Sequence, residues 1–315
     1  MMDAPSRTRR RRPRSGARVM PRELLLLQLV ASAQPVSTAQ CAMFMGVSTQ
    51  LARRAIRKLR DLQCLRVWVP QMAGQNFVTL DRVGAHLLEV KLGLRGDRLR
   101  TPKGIGRVQL AHHGQVVDLH LALALACARS RSFELIRFDH EAEIRRATGA
   151  GPGSRVPDGI ALLNTPAGRQ AIAVESDSGA ENPSRTARSK GEGYAELSQQ
   201  GVPLAGAAEW KVVLLAPSIR RRNRVARAFF EAELPEGLFL FLSMTELDPR
   251  TVLEPLWWTQ RSDEESTRLE QVPLVEPVTP TCNTGHYRQE ERFPCDSEQL
   301  HSGPPGCLTP GSGDA

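Results

Sequence analysis

Three acidic residues flank two apolar segments whose lengths are typical of β-strands. Asp158 precedes the first segment, and Glu175 and Asp177 follow the second. A turn between residues 164 and 168 predicts that the two segments form a hairpin. Because side chains alternate along a strand, Glu175 and Asp177 should share a face, with Asp158 within reach of the same point. Carboxylates in such a cluster repel one another unless a cation lies between them, so the pattern predicts a magnesium or manganese site.

A longer motif extends from the first acid to the helix predicted after the hairpin. It consists of Pro157-Asp158, the run Glu175-x-Asp177-x-Gly179-x-Glu181, Lys190 and Tyr194. This motif resembles the core of PD-(D/E)xK nucleases and, more closely, the bacterial replication-relaxation family, which is associated with plasmid replication and plasmid DNA relaxation. The resemblance implies an N-terminal winged helix joined to a nuclease-like α/β core.

The motif departs from a nuclease at one position, because Asp177 stands where a lysine is expected. The resemblance therefore assigns that positive charge to Lys190 on the next helix. In an active core, Asp158 and Glu175 would bind the magnesium or manganese ion, Asp177 would assist, and Lys190 would orient or activate the attacking water. The alternative is a degenerate core whose acids are solvated residues at strand ends and which binds no cofactor.

The N-terminal part of the chain has the pattern of a helix-turn-helix. Ser37 and Ser48 are suited to cap two consecutive helices, and Gln40 completes a capping box with Ser37. The helix after Ser48 has an apolar stripe facing inward and a polar stripe facing outward. The inward stripe is Leu51, Ala55, Ile56, Leu59 and Leu62. The outward stripe is Gln50, Arg53, Arg54 and Arg57.

The next segment predicts a wing. A strand, a turn and a returning strand lie between Cys64 and Leu80, and Asp81 is suited to cap the helix that follows. A helix is also predicted from Pro21 to about Gln34, and three helices followed by a wing are typical of a winged-helix domain. We therefore expect the outward stripe to contact phosphates and base edges in the major groove of double-stranded DNA. The alternative is a protein–protein module with a solvated basic face.

Charge and composition divide the chain into regions. The 315 residues carry a formal net charge of +8, with arginines concentrated between residues 7 and 18 and between residues 53 and 66. Such a balance permits a nucleic-acid partner. The predicted class is α/β (α+β), with a disordered basic arm (1–20), a winged-helix domain (21–93), a linker (94–107), a PD-(D/E)xK-like α/β domain (108–258) and a disordered acidic tail (259–315).

The sequence favours a cytoplasmic location. The six cysteines lack the dense spacing of a disulfide scaffold, which fits a reducing compartment. A basic N-terminus followed by leucines imitates a signal peptide, but Glu23 and Gln28 interrupt the apolar run. No apolar run approaches the length of a transmembrane helix, so we expect no membrane partner.

Histidines on the helix predicted over residues 108–129 suggest a metal site as an alternative. His112, His113 and His120 are close in sequence, and the last two lie two turns apart. No carboxylate triad or cysteine pair completes a ligand set at familiar spacing. We therefore favour histidines of the core or of the surface.

Several functions are compatible with these patterns. The resemblance implies a DNA-binding protein of plasmid or mobile-element replication and DNA relaxation, with metal-dependent nicking if the core is active and plasmid replication proteins as further partners. The alternatives are a non-catalytic replication accessory factor and a transcriptional regulator whose C-terminal domain senses a ligand. Metal-dependent nicking, binding without cleavage and ligand-dependent binding distinguish the three.

Overall fold

The structure, a computed structural model, describes residues 18–69, 76–94, 107–151, 154–262 and 267–273. These residues form helices and strands of one compact unit, which confirms the predicted mixed α/β class. The helices are α1 (Pro21–Ala33), α2 (Thr38–Met45), α3 (Thr49–Asp61), α4 (Arg82–Leu92), α5 (Arg107–Cys127), α6 (Glu141–Thr148), α7 (Pro183–Thr186), α8 (Glu192–Gln199) and α9 (Ile219–Glu231). A π-helical turn, Ala187–Gly191, connects α7 to α8.

The strands form two sheets. A three-stranded sheet has the order β1-β3-β2, and a seven-stranded sheet has the order β10-β9-β8-β7-β6-β5-β4. The strands are β1 (Val36–Ser37), β2 (Leu65–Trp68), β3 (Phe77–Leu80), β4 (Glu134–His140), β5 (Gly159–Thr165), β6 (Gly168–Ser176), β7 (Glu209–Ala216), β8 (Phe239–Ser243), β9 (Pro255–Ser262) and β10 (Thr267–Pro273). Across the described ranges, every helix is too short or too polar to cross a membrane.

The N-terminal helices begin at the predicted capping residues. The Ser37 hydroxyl accepts a hydrogen bond from the Gln40 backbone N–H at 3.2 Å, and the Gln40 side chain accepts one from the Ser37 N–H at 2.8 Å. At the start of α3 the Ser48 hydroxyl accepts a hydrogen bond from the Leu51 N–H at 3.4 Å. The inward face of α3 is centred on Ala52 and includes Ile56 and Leu59, whereas Leu51 is 49% exposed. The buried face of α3 therefore begins at Ala52, one residue later than the predicted apolar stripe.

The small sheet packs beside these helices. Strands β2 and β3 pair antiparallel, as expected for the predicted strand pair, and β1 adds a third strand on the other side of β3. The turn predicted at residues 70–74 lies outside the described residues. One apolar core joins α1, α3, α4 and both long strands of this sheet.

Gly84 permits the close approach of α4 to the residue before β2. A Cβ atom at Gly84 would overlap the carbonyl oxygen of Cys64, which is backbone and cannot rotate away. We expect Gly84→Ala to lower the free energy of unfolding by about 1–3 kcal/mol, measured by urea denaturation. Gly114→Ala is the matched control, because open space surrounds that position in α5. The control should be stabilising by up to about 1 kcal/mol; equal destabilisation of the two variants would contradict this explanation.

The large sheet carries helices on both faces. Strands β4, β5 and β6 are antiparallel neighbours, and β6, β7 and β8 are parallel. Alternate residues of β6 enter different cores: Ile172 and Val174 pack with α5, and Ala173 packs with α9. The predicted hairpin of residues 160–174 is present, and β5 pairs along its full length with residues 168–174 of β6.

Helix α5 contributes side chains to two apolar cores. Its Val116, Leu119 and Leu123 pack on the large sheet, while Val117 and Leu121 join the core of the N-terminal helices. Residues 95–106, which fall in the predicted linker, lie outside the described residues. The N-terminal helices thus pack directly on a helix of the α/β core.

The sheet extends beyond Trp258, where the sequence analysis ended the α/β domain and began a disordered tail. Strand β9 continues to Ser262, and β10 (Thr267–Pro273) pairs with it antiparallel. The predicted boundary therefore falls too early. An edge strand is held by main-chain hydrogen bonds, so the polar composition of this segment did not reveal it.

Candidate functional site

Two of the three predicted acids, Asp158 and Glu175, meet at one end of the large sheet. Asp158 immediately precedes β5. Glu175 is the second-last residue of β6 and lies beside the start of β5. Helix α5 reaches this end from one face of the sheet, and the π-helical turn reaches it from the other. Side chains from both layers contact the two carboxylates, as described below.

Asp158 is held by three groups. His112 Nε2 lies 2.8 Å from Asp158 Oδ1, and the Ser176 backbone N–H donates a hydrogen bond of 2.8 Å to Oδ2. Lys190 Nζ lies 3.9 Å from the same Oδ2. The Ser176 hydroxyl in turn donates to Gln115 of α5 at 2.6 Å. Asp158 is thus oriented by α5, by β6 and by the π-helical turn together.

Glu175 faces the opposite layer and is 5% exposed. The Lys190 ammonium donates to Glu175 Oε2, and the Tyr194 hydroxyl donates to Oε1 at 2.6 Å. Lys190 and Tyr194 both belong to the sequence motif, and the structure brings both to Glu175. Lys190 therefore contacts one predicted metal ligand and lies near the other, Asp158.

The π-helical turn determines where Lys190 points. Insertion of one residue into the turn Ala187–Gly191 shifts the following residues around the helix axis, and such turns are frequent at functional sites. A Cβ atom at Gly191 would overlap a Leu234 methyl carbon and lie 3.1 Å from the Phe229 ring, so the glycine allows the end of this turn to pack closely on the core. The close packing of Gly191 on this core brings the neighbouring Lys190 to the end of the sheet.

Burial and mutual contact change the pKa values of the site. Burial, together with the charge of Asp158, raises the pKa of Glu175 to about 7. Burial also acts to raise the pKa of Asp158, but the hydrogen bond and charge of His112 and the charge of Lys190 outweigh it, so the pKa is lowered. The carboxylates likewise outweigh burial at Lys190 and raise its pKa. Burial and the charge of Asp158 thus both disfavour the ionised form of the Glu175 carboxylate.

Asp177 makes a different set of contacts. Arg221 of α9 donates to both of its carboxylate oxygens, from Nε to Oδ2 at 2.5 Å and from a terminal nitrogen to Oδ1 at 3.0 Å. The Gly179 N–H also donates to Asp177 Oδ1, at 2.9 Å, and Arg221 donates to the Glu181 carbonyl oxygen at 2.6 Å. Asp177 thus anchors the loop after β6 to α9, whereas Asp158, Glu175 and Lys190 come together.

The outward stripe of α3 is exposed as the sequence predicts. Gln50, Arg53, Arg54 and Arg57 are all exposed, and none has a hydrogen bond or ion pair within the described ranges. Lys58, on the adjacent face, forms an ion pair with Glu23 of α1 at 2.8 Å instead. The four side chains are free to contact a ligand.

The two carboxylates have the donor chemistry of a magnesium or manganese site. Among the described residues, no group of three or more His, Cys, Asp and Glu side chains is arranged to bind a metal ion. Magnesium is commonly held by only one or two carboxylates, with water and phosphate oxygens completing its shell. The Lys190 ammonium, which contacts Glu175 and lies near Asp158, is a stand-in cation at this point. Asp158 and Glu175 would be the two protein ligands of such an ion.

His112 is the member of the site that the sequence analysis assigned to the core or surface. The available signal was its spacing from Gln115, since both polar side chains lie on one face of an otherwise apolar helix. The other two histidines are directed elsewhere. His113 Nε2 lies 2.9 Å from the Ala33 carbonyl oxygen, and His120 Nδ1 lies 3.1 Å from His140 Nε2.

The buried histidines predict a loss of stability in acid. Burial lowers the pKa of His120 from 6.5 to about 4, and burial followed by the charges of His120 and His113 lowers that of His140. Between pH 6.5 and 4, His120 binds a proton only in the unfolded chain. Its stabilising contribution is therefore complete above pH 6.5 and is lost as the pH falls towards 4.

We expect His120→Leu to reduce the acid sensitivity of the fold. The decline in the free energy of unfolding between pH 7.5 and pH 5, measured in urea, should be smaller by about 2 kcal/mol than in the parent. His86→Gln is the control, because the His86 side chain is 75% exposed. An unchanged decline in the His120 variant would refute this assignment.

Comparison with known proteins identifies the family. The family model described as replication-relaxation matches residues 27–209. The matched span runs from α1 to the start of β7 and includes α3, Asp158, Glu175 and Lys190. Comparison with curated proteins and with solved structures gives no match. The matched span covers more than half of the 315 residues. The chain therefore belongs to the replication-relaxation family, as the sequence motif predicted.

Proposed function

We propose that this protein binds double-stranded DNA and nicks it in a reaction that depends on magnesium or manganese, during the replication and relaxation of plasmid or mobile-element DNA. The observation that carries the proposal is the convergence of Asp158, Glu175 and Lys190 from three separate elements at one end of the sheet. Membership of the replication-relaxation family supports the replication-related role. The proposed α/β core is a PD-(D/E)xK-like nuclease domain.

The proposed chemistry is hydrolysis of a phosphodiester. A magnesium or manganese ion at Asp158 and Glu175 would supply Lewis-acid chemistry. Asp158 is kept ionised and correctly oriented by His112 and the Ser176 N–H. Tyr194 orients Glu175, the other proposed ligand, by donating to its Oε1 atom. Because Tyr194 holds Glu175 in place, the Lys190 ammonium would be able to move towards a phosphate oxygen or the attacking water. The role in orienting the water therefore belongs to Lys190.

We assign DNA binding to the N-terminal region, which we propose is a winged helix. Three helices, a strand pair and a further strand support this assignment, and the exposed polar face of α3 matches a recognition helix. Gln50, Arg53, Arg54 and Arg57 would contact phosphates and base edges. The partner is duplex DNA, and plasmid replication proteins are further partners in the same process.

Salt-dependent binding tests the α3 assignment. Joint replacement of Arg53, Arg54 and Arg57 by glutamine should reduce the slope of log affinity against log salt by up to about 3, because each lost phosphate contact removes about one unit. Fluorescence anisotropy with a labelled duplex measures this slope. A charge-matched control replaces Arg129, Arg131 and Arg169, exposed arginines near the end of the sheet away from Asp158, of which Arg129 also donates to the Pro249 carbonyl oxygen. Equal slopes in the two variants would remove α3 from the interface.

A second candidate function is a non-catalytic replication accessory factor. The specific observation in its favour is that every oxygen of Asp158 and Glu175 already has a protein partner, with Lys190 closing over Glu175. Asp177, in the motif position of the nuclease lysine, is engaged by Arg221. A core of this kind would bind DNA or a replication protein without cleaving it.

Plasmid topology distinguishes the two candidates. We expect purified protein with manganese to convert supercoiled plasmid into open circles, and the product should be absent when EDTA replaces manganese. Electrophoresis with ethidium separates open circles from relaxed closed circles. Plasmid that is retarded but intact under both conditions would favour the accessory factor.

A further inference from the structure

Helix α9 separates its arginines into two groups. Arg221 and Arg222 are buried and form ion pairs with Asp177 and Glu246, both at 2.5 Å. The remaining three, Arg220, Arg224 and Arg227, are exposed and have no hydrogen bond or ion pair within the part of the chain that the structure describes. Only the second group is available to a partner.

The exposed arginines lie on one helix face. Arg220, Arg224 and Arg227 are spaced by four and three residues, which aligns their side chains along two turns. No acidic residue occurs in α9 before Glu231. Repulsion between these neighbours disfavours three unpaired cations here, and the dipole at the N-terminal end of the helix also disfavours Arg220. The arrangement opposes stability, which points to a negatively charged partner.

A second element extends this basic surface. Helix α7 packs against α9, and the segment formed by α7 and the π-helical turn exposes Arg185 and Arg188. These two arginines also lack a partner within the described ranges. We define the α7–α9 arginine face as Arg185, Arg188, Arg220, Arg224 and Arg227.

The α7–α9 arginine face adjoins the candidate site. Lys190 follows Arg188 by two residues in the same turn and contacts Glu175. Arg221, next to Arg220, contacts Asp177, which follows Glu175 by two residues. A polyanion lying on this face would therefore pass beside the two carboxylates.

We propose that the α7–α9 arginine face binds the phosphate backbone of duplex DNA, as a second contact separate from α3, and presents the adjacent phosphodiester to the carboxylate site. The inference deepens the proposed function and rests on it. A run of arginines on adjoining helix segments suits the repeating phosphates of a duplex, because guanidinium groups bind phosphate oxygens in a bidentate manner. Binding through phosphates alone carries no preference for base sequence.

The test replaces Arg220, Arg224 and Arg227 together by glutamine in the full chain. The slope of log affinity against log salt on a 30-bp duplex should fall by up to about 3, and a triple lysine variant should restore most of it because the charge is retained. The control variant again replaces Arg129, Arg131 and Arg169, which changes the charge equally. Thermal unfolding should be unchanged or shifted upward, since the three side chains are exposed and repel one another.

The outcomes separate this inference from the proposed function. A slope that falls only in the α3 variant would overturn the α7–α9 face and leave DNA binding intact. A slope that falls equally in the control variant would also overturn it, because net charge alone would then explain the effect. If the parent binds no duplex at any salt concentration, the proposed function itself fails. A selective loss in the α9 variant, reversed by lysine, is the expected result.

Discussion

Replacement of Asp158 by asparagine is expected to reduce manganese-dependent nicking of supercoiled plasmid by about 10³-fold or more, with duplex affinity unchanged. The substitution keeps the size of the side chain and retains one oxygen that can accept the Ser176 N–H. It removes the negative charge that offsets Lys190 and His112 and that would bind the metal ion. Initial rates of open-circle formation at saturating protein measure the effect.

Asp139→Asn is the matched control for this experiment. Asp139 lies on the neighbouring strand β4, is partly buried and pairs with Arg137 at 3.0 Å, away from the contacts of Asp158. The control should nick plasmid at a rate close to that of the parent. If Asp158→Asn retains the parental rate at equal DNA occupancy, the carboxylate site does not perform the cleavage.

Replacement of Arg221 by methionine is expected to lower the free energy of unfolding by about 3–5 kcal/mol, because it leaves the Asp177 carboxylate buried without its cation. The two side chains are 9% and 5% exposed, so water does not compensate for the lost partner. Such a loss is a large fraction of the 5–15 kcal/mol that typically stabilises a folded domain, by order of magnitude. Urea denaturation at neutral pH measures it.

Two further variants test the origin of this effect. Arg220→Met changes the adjacent, exposed arginine and should alter stability by less than about 0.5 kcal/mol. Combining Arg221→Met with Asp177→Leu removes both buried charges and should restore most of the lost stability. If the double variant is as unstable as Arg221→Met, the lost energy comes from the packing or the other hydrogen bonds of Arg221.

Much of the fold follows from local sequence patterns. The capping box of Ser37 and Gln40 and the two apolar segments of the β5–β6 hairpin are short-range features, and the structure reproduces them. The same holds for the gathering of Asp158 and Glu175, because a hairpin brings the start of one strand beside the end of the next. Lys190 was assigned to the site from the family motif alone, because no local sequence rule relates a helix residue to a strand residue fifteen positions earlier.

Other features depend on contacts between distant residues. The sequence cannot indicate that Arg221 is buried against Asp177, because a run of arginines at the start of a helix is typical of an exposed face. The π-helical turn is equally hard to predict, and its last residue, Gly191, packs closely against Leu234, which is distant in sequence. His112 belongs to the site because α5 crosses the end of the sheet, which is a property of the tertiary fold.

Helix α5 connects the two proposed activities physically. The Gln40 amide of α2 donates to the Gly114 carbonyl oxygen at 3.0 Å and to Asp118 at 2.8 Å, and both acceptors are on α5. Two residues before Gly114, His112 contacts Asp158 of the carboxylate site. The N-terminal helices and the carboxylates are therefore fixed to the same helix, which would hold a bound duplex in a defined relation to the site.

The most direct test of the central claim compares the parent protein with Glu175→Ala and Glu175→Gln on supercoiled plasmid, with and without manganese. Occupancy is first equalised by gel retardation, so that only cleavage differs. We predict open circles with the parent in manganese alone and bound, intact plasmid with both variants. Plasmid left intact by the parent in manganese, or nicked equally by the Glu175 variants, would contradict a metal-dependent nicking centre at Asp158, Glu175 and Lys190.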